Sequence, residues 1–194
     1  MKISGITATG PAVDDRAFLS SLPAALQEVL ADSNGFIILQ GALHVRGVCS
    51  EPEWHSLRHA WHGDKAFHKL YDAVTPDDIP FAQDCVGDQF LLRDGHVVRL
   101  LAETGEIEGV AVDLQEFFAK VDENPVDFPS SAPDHPLQPG QLLHAYPPFC
   151  VKASASAYSL KACPAHKVIL FHADFARQIA HVPEGGQIEI EVTD

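Results

Sequence analysis

Two short apolar runs constrain this chain most: residues 90–92 and 97–101 are rich in strand formers and are separated by Arg93-Asp94-Gly95-His96. Asp-Gly supplies the positive φ angles that a tight hairpin demands, so the runs pair antiparallel. A second turn at Glu103-Thr104-Gly105-Glu106 leads to a third strand over residues 107–112. Asp113 and Glu116 then stand at N-cap and N3 spacing ahead of Leu114, Phe117, Phe118 and Val121, which predicts a helix. Three meandering strands closed by a helix point to an α+β fold with a mostly antiparallel central sheet flanked by helices.

The flanking segments are less regular. Residues 20–35 read as one helix, with Pro23 in its first turn, Leu22, Leu26, Val29 and Leu30 on one side, and Asn34-Gly35 as its stop. A buried strand is expected over 36–39. Ser50-Glu51-Pro52-Glu53 has the pattern of a capping box and would open a helix through Trp61. Five prolines between 125 and 139 predict an extended stretch, either a linker or a chain wrapping the surface. Beyond it come an apolar segment over 142–150 broken by Pro147-Pro148, a helix around 171–180 and a terminal strand over 187–192, while 168–171 fits strand or helix. The expected organisation is a domain over 14–124, a Pro-rich linker over 125–140 and an extension over 141–194 that packs on the sheet. Phe149, Phe171 and Phe175 are assigned to the core at helical spacing, with a dimer seam as the alternative.

Charge narrows the function. The chain has 194 residues and carries 13 Lys and Arg against 27 Asp and Glu, a formal net charge of −14. Nucleic-acid and anionic-membrane binders present basic stripes, so neither is expected as a partner, whereas a basic protein would be drawn in. Between Asp77 and Asp127 there are thirteen acids and three basic residues, so 3 − 13 = −10 of the charge falls in about a quarter of the chain. Solubility accounts for such acidity equally well. The beginning of the sequence has no apolar stretch of signal-peptide length, and the four cysteines, Cys49, Cys85, Cys150 and Cys163, form no C-x-x-C pattern. A cytoplasmic protein with reduced thiols is expected, with no cofactor.

No phosphate loop, nucleophile elbow, dinucleotide fingerprint or H-E-x-x-H motif occurs in the sequence. His55, His59, His62 and His68 could tempt a metal. At 100° per residue, however, Trp54, Leu57 and Trp61 form the buried stripe, which leaves the first three imidazoles on a water-facing flank. Cys85 lies beside Asp84, whose charge suppresses thiolate, so no nucleophile is expected there.

The segments Ile79-Pro80-Phe81-Ala82-Gln83-Asp84, Gly87-Asp88-Gln89-Phe90, Asp94-Gly95-His96-Val97 and Glu103-Thr104-Gly105-Glu106, in that order, resemble the SUKH superfamily. That superfamily includes the yeast cell-wall-assembly regulator and many bacterial toxin-immunity proteins. Leu22-Pro23-x-x-Leu26, Asn34-Gly35-Phe36 and Phe117-Phe118 extend the resemblance to residues 20–121. It departs at Cys85-Val86, where relatives are often glycine-rich, and in the segment from Pro125 onward, which exceeds the minimal domain. The resemblance implies a non-enzymatic protein-binding module, foremost an immunity protein that neutralises a toxin, such as a nuclease, by direct binding. The carboxylates expected at the interface are Asp77, Asp78, Asp84, Asp88, Glu103, Glu106 and Glu108. The alternatives are a regulatory scaffold for an endogenous partner and a metal-dependent enzyme using residues 55–68.

Overall fold

A computed structural model describes residues 3–126, 128, 133, 136–183 and 185–187. Seven strands form one antiparallel sheet in chain order: β1 (Ile6–Thr9), β2 (Phe36–Ile38), β3 (Leu43–Val45), β4 (Ile79–Asp84), β5 (Gln89–Arg93), β6 (His96–Leu100) and β7 (Ile107–Ala111). The fold is α+β, as the hairpin chemistry requires. Asp94 and Gly95 take φ of 50° and 85°, the double positive turn that matches strand twist, and Arg93 faces His96 across it. Every residue of β4 is buried, because helices cover both faces of the sheet there. Pro80 cannot donate to the ladder, and the β4–β5 register slips between Pro80 and Ala82.

One face of the sheet carries α1 (Arg16–Ser21), α2 (Ala24–Asp32) and α5 (Leu114–Glu123). Phe81, Phe90 and Phe117 are wholly buried at its centre, with Phe117 edge-on to Phe81 at 5.5 Å between ring centroids. The opposite face carries Leu91 and Leu100, packed with Phe67 and Tyr71 and with Ala173 and Ala176 of α6 (Ala165–Ile179). Strand alternation explains the division: Phe90 and Leu92 point one way and Leu91 the other. Residues 141–179 therefore complete the second layer. Their ribbon, β8 (Gln141–Tyr146) paired with β9 (Ser159–Pro164), is a separate two-stranded sheet joined to the main one where Leu143 N–H donates to the Cys85 carbonyl at 2.7 Å.

Several expectations need correction. Residues 20–35 form two helices, with Asp15 capping α1 and Pro23 standing at the N-cap of α2. The strand after it ends at Ile38, since Leu39 and Gln40 take positive φ of 46° and 58°. The serine at 50 opens no helix. A single 3-10 turn, Glu53–His55, precedes α3 (Leu57–His62), which Ser56 caps by accepting from His59 N–H. α4 (Phe67–Leu70) follows. Residues 168–171 are helical, and α6 begins six residues before the expected 171. β1 was not expected at all. The terminal strand expected over 187–192 falls almost wholly outside the described residues, as do parts of the proline-rich stretch.

Candidate binding surfaces

The seven carboxylates expected at an interface separate into interior and exterior groups. Asp84, Asp88 and Asp78 are buried, 0%, 9% and 2% exposed. They are corrected from docking groups to internal anchors. Asp84 closes the loop after β4: its Oδ1 accepts from Val86, Gly87 and Asp88 N–H at 2.9–3.0 Å, and its Oδ2 lies 3.2 Å from Arg99 Nη2. Asp88 takes Arg99 Nη2 at 2.6 Å and Nε at 2.8 Å, and its other oxygen accepts from Ala102 N–H. Burial and then Asp88 raise the Asp84 carboxyl to about 7, against the pull of Arg99 and the loop amides. Burial also opposes the Arg99 charge, yet the two aspartates hold its pKa above the ordinary value.

Asp78 forms a bidentate pair with Arg93, both contacts at 2.7 Å, and accepts from Thr75 N–H and Oγ1. Burial works against its ionisation, but Arg93 and Thr75 hold its pKa below the usual value. Glu103 is half-buried and has a structural partner: it accepts from Phe149 and Cys150 N–H at 3.0 and 2.9 Å, clamping the loop beyond β8. Asp77, Glu106 and Glu108 remain exposed. Glu108 also lies at the outer side of Arg99, 3.8 Å away.

The clamp holds out a group of apolar side chains that includes Phe149, which periodicity had assigned to the interior. Tyr146, Phe149, Tyr158 and Leu160 are 42–54% exposed, and all lie on the β8–β9 ribbon or the segment joining its strands. Phe149 and Tyr158 pack edge to face at 5.1 Å. Phe175 is buried as expected, whereas Phe149 is corrected to a surface residue, because Pro147-Pro148 turns the chain away from the sheet. Between this ribbon and the main sheet lies a hollow of about 370 Å³ lined by Asp88, Arg99, Glu103, Thr104, Phe149 and Cys150 among others.

A second polar assembly, invisible to motif searching, lies inside the sheet. Arg46 follows β3 and is 2% exposed. Its Nη1 donates to the Pro80 and Ala82 carbonyls at 2.8 and 3.3 Å, and its Nη2 to Gln83 Oε1 and Gln89 Oε1 at 2.7 and 2.6 Å. His44 Nε2 lies 2.7 Å from His55 Nδ1, and His55 Nε2 lies 3.0 Å from the Asn34 carbonyl. A carbonyl only accepts, so His55 Nε2 carries the proton, its Nδ1 accepts from His44 Nε2, and His44 Nδ1 is left to accept from Gln83 Nε2 at 3.4 Å. Burial keeps both imidazoles neutral; for His44, His55 and Arg46 add to the effect. Gly10 and Gly47 let the backbone close on this pair, since a Cβ on either would sit 2.1 or 2.2 Å from the Asn34 carbonyl oxygen.

Of the three imidazoles expected on a water-facing flank, His59 and His62 are exposed and only His55 is corrected. His55 is 2% exposed and belongs to the turn ahead of α3, because its ring is needed in the interior chain of hydrogen bonds. His59 is paired with Glu53 at 3.2 Å, and His62 stacks on Trp61 at 4.3 Å. No group of three or more potential metal ligands occurs among the described residues. Cys85 is a buried thiol behind β4. No described helix is long and apolar enough to cross a membrane. Compared with protein-family models and with curated proteins, the chain matches none.

Proposed function

We propose that this chain is a SUKH-type protein-binding module of the cytoplasm, acting by occlusion rather than catalysis, and that its partner is a basic protein such as a toxin nuclease. The observation that carries the proposal is the aromatic ribbon. Exposed aromatics concentrated on one hairpin are the composition of an interface centre, where Tyr, Trp and Arg dominate binding energy. Glu103 fixes the loop beside them, so little freedom remains to be lost on association. The net charge of −14 and the exposed Glu106 and Glu108 supply long-range attraction for a cationic partner. Aromatic anchors then set the dissociation rate and carboxylates the association rate.

The test begins with tagged full-length chain in its native host and mass spectrometry of what it captures, followed by binding of the purified captured protein. Phe149→Ala combined with Tyr158→Ala should weaken binding by on the order of a hundredfold, mainly through faster dissociation. Glu106→Lys with Glu108→Lys should slow association several-fold and flatten its salt dependence. Co-expression should rescue cells from the captured protein's toxicity. Binding that is insensitive to both pairs of substitutions, or a partner whose activity is untouched by saturating chain, overturns the proposal.

A further inference from the structure

On the face opposite α5, a cleft of about 300 Å³ opens between residues 53–67 and α6, a volume at the small end for organic ligands. Arg46 and Lys65 line it together with His166, and Trp54, Phe67 and Ile169 form apolar walls. Glu53, the acidic residue on its lining, lies 3.2 Å from His59 Nδ1 and is outnumbered by the two cations. A cationic lining is unexpected in a protein with a net charge of −14.

Arg46 gives this cleft its character. Its guanidinium is buried, lies 5.3 Å from the Phe67 ring centroid, and forms no ion pair with any carboxylate among the described residues. All four bonds it makes go to neutral oxygens through Nη1 and Nη2. A buried cation with neutral partners only is costly, and an anion brought beside it would repay that cost directly. Arginine favours flat carboxylates and stacks on rings, while the ammonium of Lys65 supplies an adjustable second contact.

We propose that this cleft is a binding site for a small organic carboxylate, its anionic end directed to Arg46 and Lys65 and its apolar body held among Trp54, Phe67 and Ile169. The site is separate from the aromatic ribbon, and a ligand there requires no protein partner. A bare anion would leave the apolar walls unused; a neutral apolar molecule would leave the guanidinium uncompensated.

Calorimetric titration of the full-length chain with 4-phenylbutyrate, 4-phenylbutanamide and inorganic phosphate tests each part. The carboxylate should bind saturably with one-to-one stoichiometry, and the amide and phosphate each at least about tenfold more weakly. Arg46→Gln risks the fold, so the charge is probed by Lys65→Glu, which should weaken the carboxylate about tenfold while Lys152→Glu leaves it unchanged. Ala60→Trp, which fills the cleft from α3, should abolish binding while a thermal melt still shows a cooperative transition. Equal affinity for acid and amide, phosphate binding as tight as phenylbutyrate, binding that survives Ala60→Trp, or no saturable heat at millimolar carboxylate overturns the proposal.

Discussion

Arg46 and Arg99 are both largely removed from water, yet only Arg99 has its charge countered by carboxylates. Arg99 lies among Asp84, Asp88 and Glu108, and its pKa is raised. Arg46 is held by two backbone carbonyls and two glutamine oxygens, and burial lowers it to about 9. In a chain with twice as many acids as bases, the scarce resource should have been the cation. Instead the acids gather on one arginine and leave the other without one. Local surplus of a charge therefore does not determine where it is compensated; strand position does.

Substitutions at the two arginines give the largest contrast. Arg99→Ala leaves Asp88 without its cation and drives Asp84 to take up a proton, and should cost about 4 kcal/mol in urea unfolding at neutral pH. A loss below about 1 kcal/mol would mean that the loop amides alone satisfy Asp84. Arg46→Met leaves only neutral oxygens unpaired and removes a desolvated charge, so its cost should be smaller, about 2 kcal/mol. If the two losses are equal, the distinction between the nodes fails.

Acid should separate the nodes by the sign of its effect. His44 and His55 have pKa values below 6.5 in the fold, so the unfolded chain binds more protons beneath that pH, and stability falls as pH drops from about 6.5 through the folded values. His172, lowered to about 4 by burial and then by His144, contributes in the same direction, on the order of 3 kcal/mol once pH is below 4. Asp84 works the other way. Raised to about 7 from 3.8, it contributes stability that is full below 3.8 and is lost as pH rises through 7. Asp84→Asn should therefore steepen the net loss of stability on acidification between pH 7 and 4, as measured by the urea midpoint. An unchanged slope would show that Asp84 titrates normally.

The smallest effect is expected outside both nodes. Glu106→Lys and Glu108→Lys should change stability by less than about 0.5 kcal/mol, since both side chains are exposed. A loss comparable to that of Arg99→Ala would place the outer carboxylate, Glu108, within the Arg99 node.

Legibility in the sequence followed the range of the interactions. The hairpin at Asp94-Gly95 and the helix capped by Asp113 were both readable, because each depends on residues within four positions of one another. Even there the structure altered a detail: Glu116 accepts from Val112 N–H rather than from the cap residue's own amide. β1 was missed because Ile6–Thr9 is short and is built by pairing with β2 about thirty residues away. The Arg46 node joins residues 34 to 43 positions apart, so no local spacing marks it. Phe149 misled through its composition: helix-spaced aromatics usually mean core, but a proline pair and the Glu103 clamp hold this one outward.

The amino-acid order by itself determined the α+β class, the meander around its tight turn, the capped helix above it and the excess of negative charge. Which carboxylates that excess leaves available was decided only in three dimensions. Asp84 and Glu108 are both ordinary acids in the same acidic stretch; one is fully buried and the other is exposed. Turns and caps are satisfied by neighbours along the chain, whereas burial and ion pairing depend on strand register and on the helix that covers each face.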